Sequence, residues 1–186
     1  RFGVSGLLYN SDVLLYDDQT ESLFSQILSK AISGPLVGEK LSPLVSTHTT
    51  WGKWKTLHPH TLVLSTATGY IRDYTRNPYQ GYGSSRTLYF PAPSLSAEAD
   101  SFHPKETVLG LKDGHRIKAY PFSELDNNNK SEFIDVVNGK AYTVLWDSEN
   151  KSAQIKDQSG SLIPSIQGFY FAWVAFYPDS IIYTAK

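Results

Sequence analysis

One pattern occurs twice in this chain and restricts the fold more than any other feature. Trp51, Trp54, Leu57, His58, Pro59, Thr61 and Val63 return 119 positions later as Tyr170, Trp173, Phe176, Tyr177, Pro178, Ser180 and Ile182. In each copy the large rings fall three apart, which sets them on one face of a helix. A proline then ends the helix, since it has no amide N–H to give to the preceding turn. A short β-branched run with strand composition follows. Two copies of one unit predict a pseudo-symmetric fold in which both aromatic helices anchor a shared core. Trp51, Trp54 and Trp173 are therefore expected in the interior rather than as a stacking platform for a sugar or base.

The chain has the material for such a core. Its 186 residues are 40% hydrophobic and 13% aromatic, and a chain of this size buries roughly 70% of its unfolded surface. The formal net charge of −1, from 17 basic and 18 acidic residues, provides no general field to attract nucleic acid or an anionic membrane. Neither is expected as a partner. No cysteine is present, so disulfides, thiol nucleophiles and cysteine-held zinc or iron–sulfur clusters are excluded for this chain. Apolar stretches such as Phe169 to Phe176 are too short to span a bilayer. Arg1-Phe2-Gly3 shows neither a signal-peptide core nor an initiator Met, so we expect a processed or excised chain in a secreted or periplasmic setting. Asn129-Lys130-Ser131 and Asn150-Lys151-Ser152 match the N-glycosylation acceptor pattern, which has meaning only in a eukaryotic secretory route.

Val4 to Tyr9 and Val13 to Tyr16 read as a hairpin across Asn10-Ser11-Asp12, and Ser22 to Ser25 continues a meander. Thr47 to His58 is predicted helical and Thr61 to Leu64 a strand. Thr107 to Tyr120 is predicted as a hairpin around Asp113-Gly114, a dipeptide suited to the two positive φ angles of a type I′ turn. Phe122 to Asp126 suggests a helical turn. Phe133 to Val137, Ala141 to Trp146 and Ala153 to Ile155 suggest three more strands, Gln167 to Tyr177 the second aromatic helix, and Ser180 to Tyr183 its strand. The resulting expectation is an α+β fold. One antiparallel, β-rich domain over 1–186 would hold two half-units, about 1–65 and 107–186, each a meander followed by an aromatic helix and a short strand. A long Tyr-rich loop, 66–106, would join them.

That loop concentrates recognition chemistry. Tyr70, Arg72, Asp73, Tyr74, Tyr79 and Tyr82 lie within it, with His103 near its end. Tyr and Arg bury large areas while keeping donors available, and loops on a rigid scaffold often carry function, so these residues are the candidate binding site. The plainer alternative is that Arg72 and Asp73 make structural hydrogen bonds while the tyrosines tack the loop down. His48, His58 and His60 do not share the i, i+4 face of a helical metal motif, and helix-end hydrogen bonding suits them better. No phosphate loop, nucleophile elbow, HExxH or dinucleotide-binding glycine motif occurs. The sequence therefore points to no particular cofactor or catalytic residue, and any metal is unspecified.

The run Phe2-Gly3-Val4-Ser5-Gly6-Leu7-Leu8-Tyr9-Asn10-Ser11-Asp12, with Thr49-Thr50-Trp51, His58-Pro59, Thr61-Leu62-Val63-Leu64-Ser65, Arg72-Asp73-Tyr74, His103-Pro104-Lys105-Glu106 and Lys118-Ala119-Tyr120-Pro121, resembles the DUF3179 family of uncharacterised, mainly bacterial proteins. The likeness runs in order along nearly the whole chain. It implies an earlier segment with a Cys-Pro-Leu-Cys motif, lacking here, and it usually places Trp where this chain has Phe24. A companion chain or an upstream segment of the same precursor would then complete the fold.

Three functions follow as expectations. The first is a secreted or periplasmic, non-catalytic domain that binds a ligand or partner through the Tyr/Arg-rich loop. The second is a metal or redox enzyme whose reactive cysteines lie on the upstream segment. The third is a structural subunit of an extracellular assembly, joined through sheet edges or an aromatic patch.

Overall fold

The computed structural model describes residues 1–90, 92 and 101–185. It is an α+β chain of antiparallel sheets with three short helices among the described residues. Strands β1 (Phe2–Tyr9) and β2 (Asp12–Asp17) form the expected hairpin. Asn10 and Ser11 at its tip have φ of 50° and 64°, the left-handed pair that matches strand twist in a two-residue turn. With β3 (Leu23–Ser25) and β4 (Lys30–Ser33) they make a sheet in the order β1-β2-β3-β4.

After the long connection, β5 (Thr107–Asp113) and β6 (Arg116–Pro121) form the predicted hairpin with a different turn. Asp113 pairs with Arg116, so Gly114 and His115 make the turn, and only Gly114 is left-handed, at φ 58°. The ladder runs one residue further than expected, and the Asp113 carboxylate accepts from Lys140 Nζ at 2.7 Å. Helix α2 (Phe122–Asn128) follows. Its Ser123 N–H donates to Glu106 Oε1 at 2.8 Å. Strands β7 (Glu132–Val137), β8 (Lys140–Asp147) and β9 (Ser152–Lys156) then form a meander, with Asn138 and Gly139 both at positive φ between the first two.

Helix α3 (Tyr170–Phe176) begins three residues later than the predicted Gln167. Residues Ile166–Phe169 instead form β10, which pairs antiparallel with β5. The reason lies in the partners available: the N–H groups of Tyr170 and Phe171 donate to the Glu106 and Pro104 carbonyls at 2.8 and 2.9 Å, so the helix is capped from outside only once β10 is in place. Strand β11 (Ile181–Ile182) closes a four-stranded sheet, β10-β5-β6-β11, by parallel pairing with β6.

Helix α1 (Trp51–Leu57) is likewise shorter than the predicted Thr47 to His58, with Thr50 Oγ1 capping the Lys53 N–H at 3.2 Å. Its local geometry matches that of α3 closely. His58 and Tyr177 end the helices at φ/ψ of −131°/68° and −134°/67°. The Trp54 indole donates to Thr61 Oγ1 and the Trp173 indole to Ser180 Oγ, both at 3.0 Å. Trp54 stacks on His58 and Trp173 on Tyr177, with ring centroids 4.1 and 4.7 Å apart.

Their surroundings differ, and here the expectation of a shared aromatic core fails. Trp173 is 2% exposed within a cluster that includes Val108, Ala119, Tyr170 and Tyr177. A second cluster joins Leu109, Leu111, Tyr120 and Leu125 to Val144, Trp146 and Ile155. Trp54 is half-buried and belongs to neither, and Trp51 is 52% exposed. Helix α3 packs on β5 and β10, whereas the tethers of α1 are polar. Thr50 Oγ1 donates to Asn150 Oδ1 at 2.6 Å, Lys53 lies 3.2 Å from the Asp147 carboxylate, and Gln154 donates to Thr47 Oγ1 at 2.9 Å. The predicted strand at Thr61 to Leu64 is extended but pairs with no strand among the described residues, leaving Leu62 and Leu64 at 96% and 90% exposure.

Candidate functional site

A cleft of about 360 Å³ opens where the first sheet meets β10 and α3. Asp12 and Gln26-Ile27 form one wall. Opposite them lie two stretches of chain related by the 119-residue offset, Ser46 with His48 and Ser165 with Gln167. Trp173 and Ala172 supply the apolar floor. The volume suits a ligand of small-molecule size, and an apolar face with a few convergent polar groups is the usual character of such sites.

Asp12 gives the cleft its chemistry. Its backbone pairs with Tyr9 at the foot of β2, which fixes the carboxyl against the cleft wall. Oδ2 is shielded from solvent and accepts no hydrogen bond from the described residues. Burial pushes the carboxyl above its usual range, opposed by the Val13 amide. A buried acceptor without a donor costs about 1–3 kcal/mol, and more when charged. Thr49 Oγ1, beside the cleft-lining His48, is a second shielded oxygen without a partner among the described residues. Asp12 and His48 are the ionisable side chains in the lining.

The loop residues singled out from the sequence fall into two groups. Tyr70, Arg72, Asp73, Tyr74 and Tyr79 are exposed. Asp73 Oδ1 accepts from the Thr75 amide and hydroxyl, which holds its carboxyl below the usual range, and Tyr74 OH shares a 2.6 Å hydrogen bond with Thr68. Tyr82, by contrast, packs on Tyr89 and Phe169 and lies 3.8 Å beneath the Lys105 ammonium. Lys105 is buried, which lowers its pKa, and its Nζ donates to the Thr87 carbonyl at 2.7 Å and to that of Ser85. His103 is half-buried, and its Nδ1 accepts from the Lys105 amide at 3.1 Å. The loop is thus fastened at Phe169, next in the chain to cleft-lining Gly168. It is fastened again at Phe90, whose carbonyl accepts from Ser11, next to Asp12.

Other candidates have local roles. The His58 ring stacks on Trp54 and its amide caps α1. Among the described residues no group of three His, Asp or Glu stands close enough to hold a metal ion. Asn129 is exposed at the left-handed cap of α2. Asn150 is half-buried, with its amide donating to Asp147 and its carbonyl accepting from Thr50.

Sequence reading passed over Asp12, Gln26, Ser46, Ser165 and Gln167. Part of the signal was present, because extending the repeat five residues upstream of Trp51 pairs Ser46 with Ser165 and His48 with Gln167. Asp12 carried none, since an aspartate after a turn is ordinarily solvated.

A family model described as a protein of unknown function, DUF3179, matches residues 1–180. No curated protein and no solved structure matches the chain.

Proposed function

The chain belongs to the DUF3179 family, and we propose that it is a non-catalytic binding domain that takes a small polar ligand in the cleft at Asp12. The ligand presents an ammonium or hydroxyl donor to Asp12 Oδ2 and an apolar face to Trp173. The observation that carries this reading is the shielded carboxylate oxygen in a cavity of about 360 Å³. Such a group is costly unless an incoming donor satisfies it.

The same reading treats the chain as two half-units, about 1–65 and 107–186, each ending in an aromatic helix and a short strand. The equivalent pairs Ser46/Ser165 and His48/Gln167 support it, because they converge on one cleft. The Tyr/Arg-rich loop 66–106 serves as a second, partner-facing surface, on the strength of exposed Tyr70, Arg72, Tyr74 and Tyr79. We read the setting as secreted or periplasmic, and the exposure of Asn129 fits a secretory route.

Calorimetric titration with a panel of primary amines, amino sugars and polyols tests the cleft. A panel member is expected to bind, and to bind at least tenfold more weakly to the Asp12→Asn variant, a loss of about 1.4 kcal/mol or more. Equal affinity for both proteins, or a panel with no binder, would sink the reading.

A further inference from the structure

The geometry points to α1 and its flanking segments as the docking site of a β-hairpin carried by the same precursor just ahead of Arg1. This rests on the two-half reading above and adds the identity of a missing partner. In the second half, α3 is sandwiched by sheet. Strand β10, directly before it, pairs antiparallel with β5, and β11, directly after it, pairs parallel with β6. The β5–β6 hairpin thus supplies the two central strands of the sheet, with Gly110 giving Trp173 its room.

The first half has the outer parts of the same arrangement. Residues 47–50 precede α1 as β10 precedes α3, and 62–63 follow as β11 does. The cap angles and the Trp54–Thr61 bond reproduce those of the second half. Yet neither flank is in a sheet, and Leu62 and Val63 stand 96% and 68% exposed. Exposed apolar groups in this number mark a surface that something covers. The second half shows what fits: an antiparallel hairpin whose first strand adds to 47–50 and whose second runs parallel to 62–63. It carries a glycine or other small residue under Trp54. Counting back 119 residues from β5–β6 lands on the stretch ending at residues 1–2, which is why we assign the occupant to the precursor itself.

The test compares this chain with one extended by about 25 precursor residues ahead of Arg1, with hydrogen exchange read peptide by peptide. The extension is expected to slow exchange at 47–50 and 61–64 by tenfold or more. It is also expected to shield Trp54 from iodide quenching. Trp54→Ala in the extended chain should return both flanks to fast exchange. Unchanged exchange at both flanks, protection confined to other segments, or a precursor with no residues ahead of Arg1 overturns the proposal. The two-half reading is judged separately by Thr61→Ala and Ser180→Ala, each expected to shift the indole N–H resonance of its own tryptophan. If those shifts occur while the flanks stay fast, the hairpin alone is wrong; if they do not, the half-unit reading fails first.

Discussion

The indole of Trp173 fills the space where Gly110 would carry a side chain: a Cβ at that glycine would fall 1.9 Å from Cζ3 and 2.0 Å from Cη2. Gly110 sits in the middle of β5, paired on one side with Ala119 and on the other with Ile166. A glycine there weakens a strand for want of a side chain to pack, and close approach of a large ring is what makes it necessary. Both partners are buried, so neither can withdraw into solvent.

Gly110→Ala is therefore expected to destabilise the protein by about 1–3 kcal/mol through overpacking. The midpoint of urea unfolding measures it. A variant as stable as the parent would mean that the ring has an alternative seat and that the contact is incidental.

The two equivalent tryptophans should differ sharply when removed. Trp173→Ala empties a site 2% exposed and is expected to cost about 3–5 kcal/mol. Trp54→Ala removes a half-buried ring outside both core clusters, and about 1 kcal/mol or less is expected. Thermal unfolding of the two variants side by side decides the matter. Equal losses would show that α1 is packed as firmly as α3.

What the sequence made legible follows from which forces are local. The hairpin at Asn10-Ser11 and the turn at Asn138-Gly139 were readable because left-handed φ angles select their residues. The helix stops at Pro59 and Pro178 were readable because proline cannot donate. The burial of the two helices was not, since the residues on both faces are alike and only the presence of β5 and β10 against one of them separates the cases. The same limit hid the start of α3, whose cap comes from the carbonyls of Pro104 and Glu106. The cleft was half legible: the repeat extends to Ser46 and Ser165, but the burial of Asp12 arises from chain that lies far off in sequence.

Lys105 ties the loop to the scaffold. Its ammonium donates to the carbonyls of Ser85 and Thr87 and lies over the Tyr82 ring. Lys105→Met keeps the length and apolar stem of the side chain while deleting the donors and the charge. Amide exchange across 82–87 is expected to accelerate by tenfold or more, while β8 amides stay as they were. If exchange in 82–87 does not change, the tie lies elsewhere, and the loop is held by its ring contacts with Phe169.

Asp12 provides the pH test of the cleft. Burial raises its carboxyl above the usual 3.8 in the folded chain, so between those two values the folded state holds more protons than the unfolded one. Stability from this group is then greatest in acid and declines as pH rises through the shifted value. Other carboxylates shift the opposite way: Asp17 and Asp113 are held low by the Thr20 hydroxyl and by Lys140. The measurement is therefore the difference between parent and Asp12→Asn, taken from urea midpoints at several pH values from about 3 to 8. Asn cannot ionise, so the variant is expected to gain on the parent as pH rises and then level off once Asp12 is fully charged. A saturating cleft ligand that donates to Oδ2 should reverse the sign, stabilising the parent most where the carboxylate is ionised. A flat difference across the range would show that Asp12 reaches water after all, and the cleft would lose the group that gives it affinity.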